Sequence, residues 1–416
     1  MASAIRNYFG GFTARVRFRY RKFMHFSTET DCFAHLRCLC CFFAMDGQRS
    51  LRWILVLAIL TVPMAFFAYQ IAVGDALISI SYYVISLVFN VITLLKMTLI
   101  RLSFDKTRTL MDYFNEHVFH RDDPWCHRIR RRTYFTTWKI FGAMLTYVLL
   151  TALFYLSTTH PSSHYIGLDR TEVTWIHVLL VQIVAGCTLL HLVIYSVGIL
   201  LISFLMHWFQ TELEIMANAF EKVFHGECPR KVLGRNVLRR ARLQREEVRW
   251  TGIERRLVYC ISRHGEFVEL NKLLRGIAQP IFFSLGFYIV TTISTLIFVT
   301  IIDGIFNLLA IVHVAAVIAE FYYYAHLVDE LEDKRHMIAR AIYEQNWPEQ
   351  MVYSNRVAKH YKSVRTMIVT VIMFAQRPFR ISCGGMYKMT VPVFTTMIET
   401  IYFAVTFLIR TVKIQR

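Results

Sequence analysis

The sequence predicts an all-α protein that crosses a membrane with seven helices. Of its 416 residues, 55% are apolar and 18% are charged, whereas about a quarter of the residues in a soluble domain are charged. Apolar runs of about twenty residues recur along the chain, and a helix of this length spans the hydrocarbon core. The spans are expected to be helical because lipid cannot hydrogen-bond an unpaired backbone group.

The N-terminal half holds a basic segment followed by four predicted spans. Residues 1–52 are polar and basic, without the apolar core and cleavage site of a signal peptide, so the first span is expected to direct insertion. The four spans are predicted at 53–73, 76–100, 133–157 and 173–206. Together they form a first transmembrane unit, 53–206.

The C-terminal half alternates two long polar segments with three further spans. The basic segment 207–278 keeps apolar residues at helical spacing, which predicts helices that continue beyond the membrane. The fifth and sixth spans, at 279–302 and 305–327, form the unit 279–327. A second cytoplasmic helical segment, 328–386, precedes the C-terminal unit 387–416, whose span is predicted at 387–410.

The distribution of positive charge predicts the orientation. Forty of the 47 Lys and Arg residues lie in four segments: 1–52, 101–132, 207–278 and 328–386. The opposite side holds three, Arg170, Lys413 and Arg416. Because cytoplasmic loops carry the excess of Lys and Arg, the N-terminus is expected in the cytoplasm and the C-terminus outside. This asymmetry also explains the net charge of +18 without a nucleic-acid partner.

The cysteines and acidic residues indicate no cofactor, no metal site and no catalytic site. None of the nine cysteines falls in a segment predicted outside, as expected for thiols in a reducing compartment. Cys38, Cys40 and Cys41 lie just before the first span, where acylation and free interfacial thiols fit equally well. No Cys and His spacing matches a zinc site, and no nucleophile and base pattern points to an enzyme.

Two other classes of membrane protein fit the sequence poorly. G-protein-coupled receptors place the N-terminus outside, and the Asn-Pro-x-x-Tyr pattern of their seventh span is missing, since Pro392 is followed by Val393 and Phe394. A secondary transporter would need internal repeats and intramembrane charges. No repeat is visible, and Glu320 and Glu399 are the two candidate acids.

Motifs in the last third of the chain carry a family resemblance. They are CISRHGEF at 260–267, LVDELEDKRHMIARAIYEQNW at 327–347, RPFRISCGGMYKMTVPVF at 377–394 and TIYFAVTFLIR at 400–410. Their order and spacing resemble the insect odorant receptor family over about 255–410, while only the topology agrees over 1–200. The related gustatory receptors are the alternative, but they end in Thr-Tyr and Gln-Phe. Here Ile401 precedes Tyr402, and Leu408 and Ile409 replace the final pair.

The resemblance implies a tuning subunit of a heterotetrameric, ligand-gated and non-selective cation channel. Its partners would be a small volatile ligand, a shared co-receptor subunit of the same fold and the lipid bilayer. The plasma membrane of an olfactory neuron's dendrite is the implied location. The seventh span would line the pore, and the segments 207–278 and 328–386 would form a cytoplasmic anchor. A gustatory receptor would instead be gated by a sugar or a bitter compound.

The resemblance places the ligand pocket in the outer halves of spans two, three, four and six. Helix direction then selects the following residues: Tyr82, Tyr83, Ser86, Tyr147, Leu150, Phe154, Leu179, Gln182, Ile183, Gly186, Phe306, Leu309 and His313. These side chains supply the apolar, aromatic walls with a few polar groups that a small ligand needs. Packing between helices and anchoring at the interface would explain the same residues.

One stripe of the seventh span is a candidate pore lining. Glu399, Phe403, Thr406, Phe407 and Arg410 recur at spacings of three and four residues. A carboxylate at membrane depth is expected to face water or protein, so Glu399 would attract cations or be satisfied by a neighbouring helix. Phe407 would form a hydrophobic gate. A ring of four Arg410 side chains would hinder cations, which favours a different partner subunit.

Overall fold

The architecture comes from a computed structural model, which describes most of the chain between residues 26 and 415. The residues outside the description are 1–25, 28–29, 48–49, 74–76, 117–118, 120–121, 159–174, 225–237, 304–307, 346, 352, 354, 356, 377–378, 380 and 416. At the helix ends that border several of these gaps, the structure describes the backbone but not the side chains.

Long helices and a short hairpin make up the described residues, which confirms the all-α prediction. The helices are α1 (Ala34–Phe42), α2 (Ser50–Val73), α3 (Leu77–Leu102), α4 (Phe104–Glu116), α5 (Pro124–Thr158), α6 (Trp175–Glu221), α7 (Leu238–Asp303), α8 (Leu308–Tyr343), α9 (Trp347–Gln350), α10 (Ala358–Ala375) and α11 (Val391–Gln415). The strands are β1 (Ser382–Cys383) and β2 (Tyr387–Lys388), which pair antiparallel with Ser382 opposite Lys388.

Several helices have the length and apolar composition to cross a membrane. Among the described residues, five such segments are Leu51–Val73, Tyr83–Leu102, Pro124–Leu153, Gln182–Glu221 and Glu246–Thr295. A shorter apolar segment, Val391–Phe403, lies in the predicted seventh span. Helix α8 begins inside the predicted sixth span. The total of seven spans and the sides of the two termini stay predictions.

Helix α6 lies at the centre of the packing. It contacts α2, α3, α5 and α8, and 78% of its most apolar stretch is buried, against 6% for α5. A helix that is apolar all round must be covered on every side, and Leu201, Ile202 and Leu205 are completely buried. Helix α5 instead leaves Leu149 and Leu153 exposed on the chain, as suits a helix that faces lipid tails.

Helix α7 joins the basic segment to the fifth span without a break. Its 66 residues correspond to a length of about 100 Å, which far exceeds the roughly 30 Å of a hydrocarbon core. The helix must therefore project well beyond the membrane. Pro280 lies where the charged half gives way to the apolar half.

The last span begins later than the sequence predicted. Helix α11 starts at Val391 instead of 387, because Tyr387 and Lys388 belong to strand β2. Gly384 and Gly385 form the turn with φ angles of +56° and +84°, a backbone conformation that glycine adopts without strain. The Nε2 of Gln279 donates to Ser382 Oγ at 2.7 Å, which attaches the hairpin to α7.

Candidate functional site

On the second span, the predicted pocket residues lie against the interior. Tyr83 is buried in a cluster with Phe67 and Val184, and the rings of Tyr83 and Phe67 are 6.1 Å apart. Ser86 is half-buried, and its backbone carbonyl accepts a hydrogen bond from Asn90 Nδ2 at 2.8 Å. The side chain of Tyr82 lies outside the described residues.

The predicted residues on the third, fourth and sixth spans are not brought together. Tyr147 packs against the main core, whereas Leu150 is exposed on the chain. Exposed positions also include Leu179, Gln182, Ile183 and Gly186. Phe154, Phe306, Leu309 and His313 have side chains outside the described part of the structure. The structure thus buries Tyr83 and half-buries Tyr147, and a common pocket for the whole set stays a prediction.

A buried ion pair joins the second and sixth spans. Lys96 Nζ donates to Glu320 Oε1 at 2.9 Å, and the two side chains are 2% and 6% exposed. The Tyr195 hydroxyl donates to Glu320 Oε2, and Lys96 Nζ lies 3.7 Å from the centroid of the Tyr195 ring. Three helices, α3, α6 and α8, therefore meet at one carboxylate. Charges at membrane depth need such partners, because an unpaired one is expensive.

Aromatic rings enclose this ion pair. The Phe89 ring lies 5.4 Å from Tyr195, and the Tyr195 ring lies 6.2 Å from Tyr288. Tyr147, a predicted pocket residue, packs against the core cluster that contains Tyr195 and Tyr288. The cluster thus borders the region in which a ligand is expected. Sequence reasoning had singled out Glu320 and missed Lys96, although a lysine inside the second apolar run is itself a signal.

Two further polar contacts join helices in the region that the predicted topology places near or in the cytoplasm. Arg130 binds Glu212 with two hydrogen bonds, Nε to Oε1 at 2.8 Å and Nη2 to Oε2 at 3.0 Å. Glu254 on α7 accepts hydrogen bonds from Ser363 at 2.6 Å and His360 at 2.5 Å, both on α10. These two hydrogen bonds lower the pKa of the Glu254 carboxyl below its ordinary value.

A surface groove lies between α7 and α10, far in sequence from the predicted pocket. Its volume is about 600 Å³, and it is lined by Val258, Ile261, Ser262, Lys362, Ser363, Thr366, Met367 and Thr370. The groove is open rather than enclosed, so it does not match the predicted pocket. It belongs to the two segments predicted to form the anchor.

The predicted pore stripe lies on the outside of the single chain. Phe403 and Phe407 are each 69% exposed, and Glu399 and Arg410 are exposed as well. Helix α11 packs against α7 and α8 through its other side. Large exposed apolar residues on one helix indicate that something else covers this face.

The cysteines before the first span differ in accessibility. Cys38 is exposed, Cys41 is half-buried, and burial raises the pKa of the Cys40 thiol to about 12. A buried thiol is a poor nucleophile, since the thiolate is the reactive form. Acylation, if it occurs, is thus confined to Cys38 or Cys41. Across the residues that the structure covers, no group of three His, Cys, Asp or Glu side chains could hold a metal ion.

Long apolar helices packed around α6, with a buried ion pair between them, define a helical membrane protein that crosses the bilayer several times. The family model described as "7tm Odorant receptor" matches residues 73–402. Because the match covers well over half of the chain, the protein belongs to the seven-transmembrane odorant receptor family. The prediction that the chain is a receptor and not an enzyme is confirmed by this family.

The fold is also similar to two solved structures of the insect olfactory receptor OR5 from Machilis hrabei. The first, in complex with eugenol, has a TM-score of 0.65 at 12% identity and covers 88% of this chain and 91% of that chain. The second has a TM-score of 0.62 at 11% identity, with 87% and 90% covered. At these identities the likeness shows a shared fold. A search of the curated proteins finds no significant match.

Proposed function

We propose that this receptor is the odorant-binding, tuning subunit of a non-selective cation channel, which it forms with a shared co-receptor of the same fold. The family membership supports the odorant part of this proposal. The charge asymmetry supports a cytoplasmic N-terminus and an external C-terminus. The proposed location is the plasma membrane. The dendrite of an olfactory neuron is the expected site of action.

The exposed stripe of α11 carries the channel proposal. Phe403 and Phe407 lie on a helix that also exposes Glu399 and Arg410, and charged side chains are costly to leave in lipid. Packing of several subunits around a central axis would remove this face from lipid and turn Glu399 and Phe407 towards the conduction path. Glu399 would then favour cations and Phe407 would form the constriction.

Arg410 argues for a mixed assembly. Four identical subunits would place four positive charges in one ring, and like charges in a narrow pore repel cations strongly. A co-receptor without an arginine at this level would dilute the ring. The anchor segments 207–278 and 328–386, which include the groove between α7 and α10, would hold the subunits together.

The ligand is proposed to be a small organic odorant. The similar receptor from Machilis hrabei is described in complex with eugenol, a compound of this kind. In this chain the buried Tyr83 and the half-buried Tyr147 would supply aromatic walls, and Ser86 is half-buried on the second span. Residues on α6 and α8 would complete the pocket as predicted from the sequence.

Current recording in oocytes tests the proposal. The chain, an insect co-receptor, and both together are expressed and exposed to a panel of volatile alcohols, amines, ethers, esters and hydrocarbons. Large cation current that depends on the odorant is expected only when both subunits are present. Large currents from the chain alone would exclude the heteromer. Currents evoked by sugars or bitter compounds instead would favour the gustatory alternative, and silence under all conditions would contradict an odorant-gated channel.

A further inference from the structure

Two buried hydrogen-bond acceptors lie in the seam between α3 and α6. Asn90 and His191 are both 0% exposed. Asn90 Nδ2 donates to the Ser86 carbonyl at 2.8 Å, which leaves Oδ1 as the acceptor. His191 Nδ1 lies 3.0 Å from the Cys187 carbonyl. A carbonyl can only accept, so Nδ1 carries the proton and Nε2 is an acceptor in the neutral ring.

Neither acceptor has a hydrogen-bond partner among the residues that the structure describes. A second proton on His191 would not solve this, because it would bury a charge in the membrane interior without a counter-charge at that atom. Buried polar atoms are almost always satisfied by protein, water or ligand. Asn90 Oδ1 and His191 Nε2 are therefore expected to accept hydrogen bonds from a donor other than the described side chains.

The helix register places these two residues at the same level of α3 and α6. Tyr83 on α3 and Val184 on α6 belong to one buried cluster. Fourteen residues further along α6, a Cβ at Gly198 would lie 3.4 Å from Ile100 and 4.0 Å from Lys96 of α3. Residues seven apart share a helix face, so 83 and 90 form one stripe and 184, 191 and 198 form another. Asn90 and His191 are the middle members of two stripes that run side by side.

The acceptor pair lies directly inward of the predicted pocket. Asn90 is one helical turn from Ser86, a predicted pocket position on the same face of α3. On the other side, the Lys96–Glu320 pair closes the interior about 9 Å further along α3, at a rise of about 1.5 Å per residue. The acceptors are thus placed at the inner end of the pocket, where the head group of a ligand would arrive.

We infer that Asn90 and His191 bind the hydrogen-bond donor of the odorant, so that this receptor is tuned to primary alcohols. This inference rests on the proposed function. A hydroxyl donates its hydrogen to one of the two acceptors without bringing a charge into the site, whereas an ether or a hydrocarbon leaves both acceptors unpaired. A site built for a donor rejects analogues that lack it, because its buried polar groups then lose their partners. A water molecule has the same chemistry and is the competing occupant.

Two sets of ligands with equal numbers of heavy atoms test the inference in oocytes that express the chain with its co-receptor. One set is 1-octanol, 1-methoxyheptane and nonane, and the other is 2-phenylethanol, benzyl methyl ether and propylbenzene. We expect at least a tenfold lower half-maximal concentration for the alcohol in at least one set. In the wider panel, compounds with a donor should dominate the active ones.

Substitutions of Asn90 and His191 test whether these two residues cause the preference for hydrogen-bond donors. His191→Phe and Asn90→Leu should remove the preference for donors while ethers still act within about threefold of their original concentration. His191→Gln keeps an acceptor and should keep the preference, which covers the case in which a bulkier change prevents surface expression. Thr188→Val is the matched control, since the Thr188 hydroxyl is satisfied by the Val184 carbonyl of its own helix at 2.8 Å.

The outcomes separate the inference from the proposed function. Odorant currents without any preference for donors, in the probes or in the panel, would overturn the inference and leave the function standing. An equal loss of response to all ligands in the variants, with the preference unchanged, would assign the site to a resident water and also overturn it. Silence to every odorant with the co-receptor present would contradict the proposed function itself.

Discussion

At the scale of single residues, Glu320 is a buried carboxylate at membrane depth whose charge depends on its partners for stabilisation. It accepts from Lys96 at 2.9 Å and from the Tyr195 hydroxyl, and it is 8% exposed. Breaking a buried ion pair by removing one partner costs about 3–5 kcal/mol, because the other charge is left unpaired. Replacing both partners by apolar residues of similar size can be nearly neutral.

A double-mutant cycle should therefore show strong coupling between Lys96 and Glu320. Glu320→Leu alone is expected to lower the free energy of unfolding by about 3–5 kcal/mol. Lys96→Met together with Glu320→Leu should recover most of this loss. Thermal unfolding of the detergent-purified receptor measures both. Single and double variants of equal stability would show that the pair does not stabilise the fold.

The turn of the hairpin offers a comparison between adjacent glycines. Both have positive φ, but a Cβ on Gly384 would lie 2.8 Å from Cδ2 and 3.2 Å from Cβ of Phe283, whereas a Cβ on Gly385 would meet no atom within 4 Å. Gly385→Ala should cost only the backbone strain of about 1–2 kcal/mol. Gly384→Ala should lower the free energy of unfolding by clearly more. The clash involves the part of the Phe283 side chain next to its backbone, which cannot move aside by a simple rotation of the ring. Equal melting temperatures for the two variants would contradict this close approach.

At the scale of elements, the contact between α7 and α10 depends on one carboxylate. The Glu254 carboxylate accepts hydrogen bonds from Ser363 and His360. Both bonds need an acceptor at position 254, and a charged acceptor makes them stronger. The contact links the two segments that are proposed to form the anchor. Its strength should consequently follow the ionisation of Glu254.

We expect a pH-dependent difference between the wild type and Glu254→Gln. The folded-state pKa of Glu254 is lowered, so its stabilisation is fully present above the ordinary carboxyl pKa and is lost as the pH falls through the lowered value. The melting temperature of the wild type should exceed that of Glu254→Gln at neutral pH, and the gap should close in acid. Glu247→Gln, on an exposed position of the same helix, is the control. A gap that does not change with pH would contradict the assignment.

At the scale of the whole molecule, the outward face of α11 connects the fold to the proposed channel. Helix α11 packs against α7 and α8, and Phe403 and Phe407 are exposed on the single chain. In the proposed channel, neighbouring subunits would surround this exposed face. A pore made in this way depends on the identity of all its subunits. The charge of Arg410 is then the feature that distinguishes a homomeric from a mixed pore.

Neutralising Arg410 should raise the conductance of the chain expressed alone. Arg410→Gln removes a ring of four like charges, so we expect a several-fold larger cation current per surface channel than for the parent chain. Arg410→Lys keeps the charge and is the matched control. Single-channel recording with surface labelling measures the change. Identical currents for the two variants would remove Arg410 from the conduction path.

Much of the helical layout could be read from the sequence, because the length of an apolar run is a local property that the bilayer thickness requires. The second span was predicted at 76–100 and α3 runs over Leu77–Leu102; the first was predicted at 53–73 and α2 runs over Ser50–Val73. The start of α11 was misplaced by four residues, because the hairpin is stabilised by contacts with α7 that no local pattern displays. The pocket could be predicted only as a set of positions.

The sequence by itself determined that this protein is a helical membrane receptor. Hydropathy, charge asymmetry and motif order depend only on the order of the residues. The tertiary structure alone decided which polar residues meet. Lys96 and Glu320 are 224 positions apart, and their pairing depends on how α3 and α8 pack beside α6. The burial of the two acceptors Asn90 and His191 likewise depends on the packing around α3 and α6. Packing in three dimensions depends on side-chain shape and helix register, which the order of residues specifies only collectively.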